Sequence, residues 1–243
     1  MNLNGILVVN KDRSWTSHDV VAKLRNVLKV KKVGHAGTLD PMATGVLLVL
    51  LGRACKLSGK LMELPKTYYA EVTLGATSDT YDAEGKVVEK EQAAGFMPAF
   101  EEIKKTLEAF EGEIEQVPPK YSAKKLKGKK AYELARAGKE FELEAKKVTI
   151  YSITDLKYEY PLVKFRVECS KGTYVRSLAH DLGEKLGTGG YLSGLVREKV
   201  GDYTLEKAYR VEEINLENVE GKMTNSPIAP MTPPPFHCGR ASI

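Results

Sequence analysis

Gly34-His35-Ala36-Gly37-Thr38-Leu39-Asp40-Pro41-Met42-Ala43-Thr44-Gly45 is the stretch on which the reading of this chain turns. Three glycines in twelve residues admit backbone positions with positive φ and let a ligand approach the main chain closely. Asp40 is the only ionisable acid in it. An aspartate before a proline has two readings. It can cap a turn or short helix with Pro41 in the first position, or it can present a carboxylate for chemistry. Upstream, Thr16 or Ser17 can cap a helix whose Val20, Val21, Leu24, Val27 and Leu28 fall on one face. That helix and its exit carry Lys23, Arg25, Lys29, Lys31 and Lys32, with no acid between Val20 and His35. Gly5 to Val9 before it, and Val46 to Leu51 after the loop, read as buried strands.

Further out, Tyr69 to Leu74 alternates Ala70, Val72 and Leu74 with Tyr69, Glu71 and Thr73, as a half-covered strand does. A turn follows at Asp82-Ala-Glu-Gly85. Phe100, Ile103, Leu107 and Phe110 recur at helical spacing behind Pro98, and Pro118-Pro119 is expected to end that helix. Ala131 to Ala137 is a short helical stretch closed by Gly138. Val148 to Tyr160 and the alternating Val163, Phe165, Val167 and Cys169 form a hairpin broken at Pro161. A last helix spans about Tyr174 to Leu186, with Thr173 as its expected cap and Gly187 as its stop. Five prolines fall between Pro227 and Pro235, and a loose tail is expected after about Met223.

A chain of 243 residues has room for one large domain or two small ones. With 42% hydrophobic and 28% charged residues it is neither a disordered chain nor a membrane protein. Its longest apolar run, Val46 to Leu51, is far short of the roughly 20 residues of a membrane span. No leader pattern precedes Gly5, so an intracellular protein is expected. Cysteines 55, 169 and 238 form no CxxC pair and are expected to be reduced. The net charge of +5 is mild, but Lys120 to Lys147 contains ten basic and four acidic residues, more excess than the whole chain carries. Two basic regions on a nearly neutral body fit a polyanion, or else solvated faces. No Gly-Lys pair is followed by Ser or Thr, HExxH and GxSxG are absent, and the four histidines are scattered. A cofactor-free, metal-free reaction is the better expectation. Arg176 would lie in the first turn of the last helix, where a cation opposes the macrodipole. Something other than helix stability must favour it, and a carboxylate or a phosphate would.

The Gly34 to Gly45 stretch closely resembles the active-site motif of the TruB family, the tRNA pseudouridine-55 synthases. Lys66-Thr-Tyr68-Tyr69, Val117-Pro-Pro-Lys-Tyr-Ser-Ala-Lys124, Gly128-Lys-Lys-Ala-Tyr-Glu-Leu-Ala-Arg136 and Cys169-Ser-Lys-Gly-Thr-Tyr-Val-Arg176 resemble further family motifs in the same order. The likeness runs from about Gly5 to Glu213. It implies a pseudouridine synthase fold, mixed α/β, with a mostly antiparallel central sheet flanked by helices and an active-site cleft. A catalytic domain over 1–213 is expected, with a basic thumb insertion at 116–144 that closes on RNA, followed by a C-terminal extension over 214–243.

By the same resemblance Asp40 is the catalytic aspartate, acting either as a covalent nucleophile or as the base that begins glycosidic cleavage. Arg176 is the arginine that pairs with this carboxylate and orients it. Tyr68 stacks on the target uracil, Leu195 lines the pocket, and His35 fills the stack vacated when the base flips out. Lys124, Lys125, Lys127, Lys129 and Lys130 of the thumb would contact phosphates. The implied partner is the T-arm of tRNA, with no cofactor, metal, membrane, guide RNA or protein partner, in a cytoplasmic monomer. Two departures stand out. Lys11-Asp12-Arg13-Ser14-Trp15 lacks the proline and glycine usual near the first strand, and the residues after Glu213 are too few for the small RNA-binding domain of many relatives. The competing readings are a noncatalytic RNA-binding protein, which would need the thumb but not Asp40, and a guide-RNA-dependent synthase.

Overall fold

Strands that are apolar along nearly their whole length must be covered on both faces, and two such strands organise the N-terminal part of the chain. The computed structural model describes residues 3–90, 97–122, 124–126 and 128–224, the side chains of Lys125 and Lys130 excepted. In chain order the elements are β1 (Gly5–Lys11), α1 (Ser17–Leu28), β2 (Val33–Ala36), β3 (Thr44–Leu51), α2 (Ser58–Glu63), β4 (Lys66–Leu74), β5 (Ala76–Ser78) and β6 (Val87–Glu89). They continue with α3 (Phe100–Glu108), β7 (Gly112–Gln116), β8 (Lys125–Leu126), β9 (Lys129–Lys130), α4 (Ala131–Arg136), β10 (Lys146–Glu159) and β11 (Leu162–Cys169). The last are α5 (Val175–Lys185), β12 (Gly190–Val200), β13 (Tyr203–Thr204), β14 (Tyr209–Arg210), α6 (Val219–Lys222) and β15 (Met223–Thr224). The chain divides into two units, residues 3–69 with 195–224, and residues 70–194.

In the first unit the strand order is β14-β1-β3-β12. β1 and β3 pair antiparallel along their full length, from Gly5 opposite Leu51 to Lys11 opposite Gly45. β3 shares its other edge between two partners. Thr44 and Gly45 pair in parallel with Val196 and Arg197, and Leu48 to Leu51 pair antiparallel with β2. Ile6, Val8, Val46, Leu48, Leu50, Leu61, Leu64 and Val200 make one core. α1 buries Val20, Val21, Leu24 and Leu28, as its spacing predicts. Thr16 is its cap, in a reciprocal box with Asp19.

In the second unit the order is β12-β4-β11-β10-β7, with antiparallel ladders β10–β11 and β10–β7. Ala70, Val72 and Leu74 are buried, as the alternation of β4 predicts, and so are Val163, Phe165, Val167 and Cys169 of β11. α3 packs on α5 and β10, burying Ile103 and Leu107.

Four expectations need correction or completion. The helix beginning at Phe100 ends at Glu108, not at the prolines; Gly112 at φ +102° turns the chain into β7. The loop expected from Gly34 begins as strand β2, because β3 offers it an open edge. Thr173 does not cap α5. Its hydroxyl donates to the Ser170 carbonyl, whereas the Gln116 side chain accepts from the Tyr174 N–H at 2.8 Å and donates to its carbonyl at 3.1 Å. Met223 and Thr224, where the loose tail was expected to begin, pair with Leu7 and Ile6 of β1; the tail from residue 225 lies outside the described residues. Neither Cys55 nor Cys169 forms a disulfide, and Cys238 falls outside the described residues. Among the described residues no helix is long and apolar enough to cross a membrane.

Candidate active site

The first unit is built to hold the main chain around Asp40. After β2 the chain turns at Gly37, φ +92°, and residues 40–43 form a tight turn closed by the Ala43 N–H on the Asp40 carbonyl at 3.1 Å. No helix follows Pro41, but Asp40 does begin a tight turn, so of the two structural readings of Asp-Pro the turn is realised and the short helix is not. Four groups pin this turn. Lys11, fully buried at 0% exposed, sends its ammonium to the carbonyls of Trp15 at 2.7 Å, Asp12 at 3.0 Å and Pro41 at 3.3 Å. The Ser14 N–H also donates to Pro41, at 2.9 Å. Ser14 has φ +69°, so within the segment that lacks the usual glycine a serine occupies the left-handed region that favours one. The buried Ser17 hydroxyl both accepts from the Leu39 N–H, at 2.9 Å, and donates to its carbonyl, at 3.2 Å.

Arg197 is the fourth. At 1% exposed it donates from Nε to the Val46 carbonyl at 2.7 Å and from its two Nη atoms to Thr38 at 3.3 Å and Gly37 at 3.1 Å. One side chain thereby ties the entry of the loop to the strand at its exit. At that exit Gly45, φ +99°, lies so close to the Arg197 main chain that a Cβ would overlap the Arg197 carbonyl oxygen. Glycine is required there by contact as well as by φ.

His35, Tyr68 and Leu195 are in the same unit. His35 sits on β2, half-buried, edge-on to His18 with ring centroids 5.3 Å apart. Its Nδ1 is buried without a hydrogen-bond partner. Burial, and then the positive charges of His18 and Arg197, hold its imidazole below the ordinary range, which favours the neutral ring. Tyr68 is buried on β4, on the face of Ala70 and Val72. Leu195 is buried on β12, sharing a face with Arg197.

Arg176 and the thumb lysines belong to the second unit. Arg176 is buried in the first turn of α5, a position set by Gln116 on Tyr174 and by the Ser177 hydroxyl on the Val117 carbonyl at 2.7 Å. Its Nη1 lies 3.2 Å from Asp82 Oδ2 and donates to the Thr80 carbonyl at 3.1 Å; its Nη2 donates to the Tyr121 carbonyl at 3.2 Å. Asp82 is fixed in turn, its Oδ1 accepting from the Thr80 hydroxyl at 2.6 Å and the Glu84 N–H at 3.0 Å. Both side chains of the pair are nearly inaccessible, 6% and 3% exposed. Sequence reasoning gave Arg176 a carboxylate partner but passed over Asp82, because an aspartate three residues before a glycine is sufficiently explained as a turn residue. Ser78, Asp79, Thr80, Tyr81 and Asp82 are five consecutive residues with oxygen-bearing side chains, and that density was the available signal. Lys11 and Arg197 left none, since their carbonyl partners carry no side-chain signature.

Of the thumb lysines, Lys124 is half-buried and donates to the Glu144 carbonyl at 3.0 Å, tying the ends of the basic segment. Lys129 is exposed. Lys127 lies outside the described residues, as do the side chains of Lys125 and Lys130. Lys125–Leu126 and Lys129–Lys130 pair as a small hairpin. No cluster of three His, Cys, Asp or Glu suited to a metal occurs among the described residues.

Residues 25–175 match the model of the TruB family pseudouridylate synthase N-terminal domain, and residues 176–231 that of the tRNA pseudouridylate synthase B C-terminal domain. The chain is 47% identical over 218 residues to tRNA pseudouridine synthase B of Clostridium tetani, covering 90% of this chain and 75% of that protein. It is 48% identical over 231 residues to the protein of the same name from Caldanaerobacter subterraneus, covering 94% and 78%. Among solved structures it resembles a chain of a Cbf5-Nop10-Gar1 complex, with a TM-score of 0.67 and 32% identity over 86% of this chain and 52% of that one. A chain of an H/ACA RNP bound to a substrate RNA is similar at a TM-score of 0.65 and 28% identity, over 91% and 56%. This chain spans about half the length of those two. A mixed α/β fold with long antiparallel ladders, the anchored loop of Asp40 and family models matched from residue 25 to residue 231 lead to one assignment: the chain belongs to the TruB family of pseudouridylate synthases.

Proposed function

We propose that this protein isomerises the uridine at position 55, in the T-loop of tRNA, to pseudouridine, with Asp40 as the catalytic carboxylate. The observation that carries the reading is the turn at Asp40. Its main chain is held by Lys11, Ser14, Ser17 and Arg197, in a chain about half identical to curated tRNA pseudouridine synthases B. The reaction breaks the C1′–N1 bond and makes a C1′–C5 bond, while C5 loses a proton and N1 gains one. Atoms and electrons balance without redox chemistry, so a placed carboxylate suffices, whether as nucleophile or as base.

In this reading Arg176 orients Asp40 and is itself oriented by Asp82. Tyr68 stacks on the flipped uracil, Leu195 lines its pocket, and His35 takes the vacated place in the RNA stack. Flipping costs a few kcal/mol, and phosphate contacts by Lys124, Lys125, Lys127, Lys129 and Lys130 offset it. A neutral His35 suits insertion among bases. The enzyme acts as a cytoplasmic monomer without guide RNA or protein partner, which its likeness to the tRNA synthases over most of their length supports.

The test is to incubate the protein with an unmodified tRNA transcript and map pseudouridine at single-nucleotide resolution, for the parent and for Asp40→Asn. The expected product is at position 55 with the parent only, and both proteins bind the transcript. Binding without product by the parent would make this a noncatalytic RNA-binding protein. Near-normal turnover by Asp40→Asn would remove the carboxylate from the mechanism.

A further inference from the structure

Arg176 and His180 are four residues apart on α5 and therefore neighbours on one face of the helix. Three consecutive residues, Thr80, Tyr81 and Asp82, meet that face. Thr80 accepts from Arg176 through its carbonyl, and Asp82 pairs with Arg176 through its carboxylate. Between them the ring of Tyr81 stacks on the imidazole of His180, centroids 3.9 Å apart and planes within 5° of parallel. Tyr81 has φ +63°. A residue with a Cβ is disfavoured in that left-handed region, and a glycine would make the same turn freely. The turn sends the Thr80 carbonyl and the Asp82 carboxylate to one guanidinium. The Tyr81 main chain is held by its N–H on the Ser78 carbonyl at 3.1 Å and by the Leu192 N–H on its own carbonyl at 3.0 Å, and the stack adds a contribution from the ring that faces α5. The His180 Nδ1 is buried without a hydrogen-bond partner, so no polar contact at that atom fixes the imidazole.

We infer that Tyr81 and His180 are positioning residues for the isomerisation: their stacked rings clamp the Thr80–Asp82 segment onto α5 and so set the orientation of the Arg176 guanidinium. The inference rests on the assignment of Arg176 as the orienting partner of the catalytic carboxylate. Neither ring touches the reacting atoms in this account. Burial, followed by the negative charges of Asp181 and Glu184, raises the Tyr81 hydroxyl above its ordinary range, so the ring stays un-ionised and works as a flat surface.

Tyr81→Gly removes the ring and relieves the backbone, Tyr81→Phe keeps the stack, and His180→Ala and His180→Phe make the same comparison from the helix side. Melting temperature, tRNA dissociation constant and single-turnover rate with saturating enzyme are measured for each. Tyr81→Gly and His180→Ala are expected to bind tRNA as the parent does but to turn over about tenfold more slowly or worse, a loss in the chemical step alone. The two Phe variants should recover the rate to within about threefold of the parent. If Tyr81→Gly proves unfolded, His180→Ala carries the comparison, since an exchange within a formed helix leaves the loop backbone intact. Alanine and glycine variants at the parent's rate overturn the clamp, as does a rate loss matched by an equal loss of tRNA affinity. A parent that makes no pseudouridine overturns the functional reading first, and is distinguished from failure of the clamp because every variant then reads the same.

Discussion

Replacing Arg197 by methionine asks how much the anchoring of the Asp40 loop is worth. The side chain is 1% exposed and its three hydrogen bonds go to Val46, Thr38 and Gly37 carbonyls at 2.7, 3.3 and 3.1 Å. Methionine fills most of the stem's volume and leaves those carbonyls without this donor. A hydrogen bond from a charged group contributes about 1.5–3 kcal/mol, but three bonds from one side chain are not independent. The net loss is therefore taken as about 3–5 kcal/mol, the cost of removing one partner from a buried charged network. At roughly 2–4 °C per kcal/mol for a chain of this size, the melting temperature should fall by about 6–20 °C. Arg197→Lys keeps the positive charge, yet a single ammonium cannot span carbonyls that a planar fork reaches from three nitrogens, so it should recover less than about half of the loss. Thermal melts and urea unfolding followed by circular dichroism measure both. A melting temperature for Arg197→Met within about 2 °C of the parent would refute the reasoning.

Asp82→Asn keeps the size and one acceptor oxygen but removes the charge 3.2 Å from Arg176; stability should fall by about 1–3 kcal/mol, and turnover should fall while the tRNA dissociation constant holds, as single-turnover and filter-binding assays would report. The pKa of His35 is lowered by folding from 6.5, chiefly by burial, so the unfolded chain binds the proton more readily and stability is lost as pH falls below about 6.5. Urea midpoints at pH 7.5 and 5.5 should therefore differ less in His35→Gln than in the parent, an effect muted by the ring's partial exposure. Replacing Lys124, Lys125, Lys127 and Lys129 together by alanine should weaken tRNA binding and flatten its salt dependence by up to about 0.9 in log–log slope per lost contact. An unchanged slope in a salt titration would return these lysines to a solvated face, and the bond from Lys124 to the Glu144 carbonyl must be given up or shared for Lys124 to contribute.

The elements legible in the sequence are those whose own residues specify them. β1 and β3 are apolar along nearly their whole length, α1 has a cap and a single apolar face, and β10 is a long extended run that meets the alternating β11 across Pro161. What escaped depends on partners distant in the chain. β2 contains a glycine and only four residues, and exists because β3 has an open edge. In β12 the alternation slips at Gly194, so Leu192 and Leu195 are both buried and no period of two survives. β7 sits between a helix and two prolines, and only Gly112 announces the change. The site divides in the same way. Asp40, Tyr68 and Arg176 were singled out because motifs surround them. Arg197 looks like a solvated arginine in a strand, and Asp82 like an ordinary turn residue, until the fold places Thr38 and α5 beside them.

The two units hold their key residues by different chemistry. A loop with three glycines loses more conformational freedom on ordering than an ordinary loop, at about 1–2 kcal/mol per residue fixed. In the first unit Lys11, Ser17 and Arg197 offset that cost by bonding main-chain groups of Gly37, Thr38, Leu39 and Pro41. Those contacts follow the path of the backbone and do not depend on which side chains the loop carries, which is how Ser14 can occupy a left-handed position and still donate to Pro41. The hydrogen bonds that Arg197 makes among the described residues go to carbonyls and not to a carboxylate. In the second unit Arg176 is held by a buried ion pair, which is weak evidence for stability and whose part in the proposed reading is orientation. Asp82 supplies that direction through one oxygen while its other oxygen is held by Thr80 and Glu84. The anchoring of Asp40 is thus spread over several backbone contacts, whereas Arg176 meets a short segment whose central residue, Tyr81, is left-handed, hydrogen-bonded to Ser78 and Leu192 through its main chain and stacked on His180 through its ring.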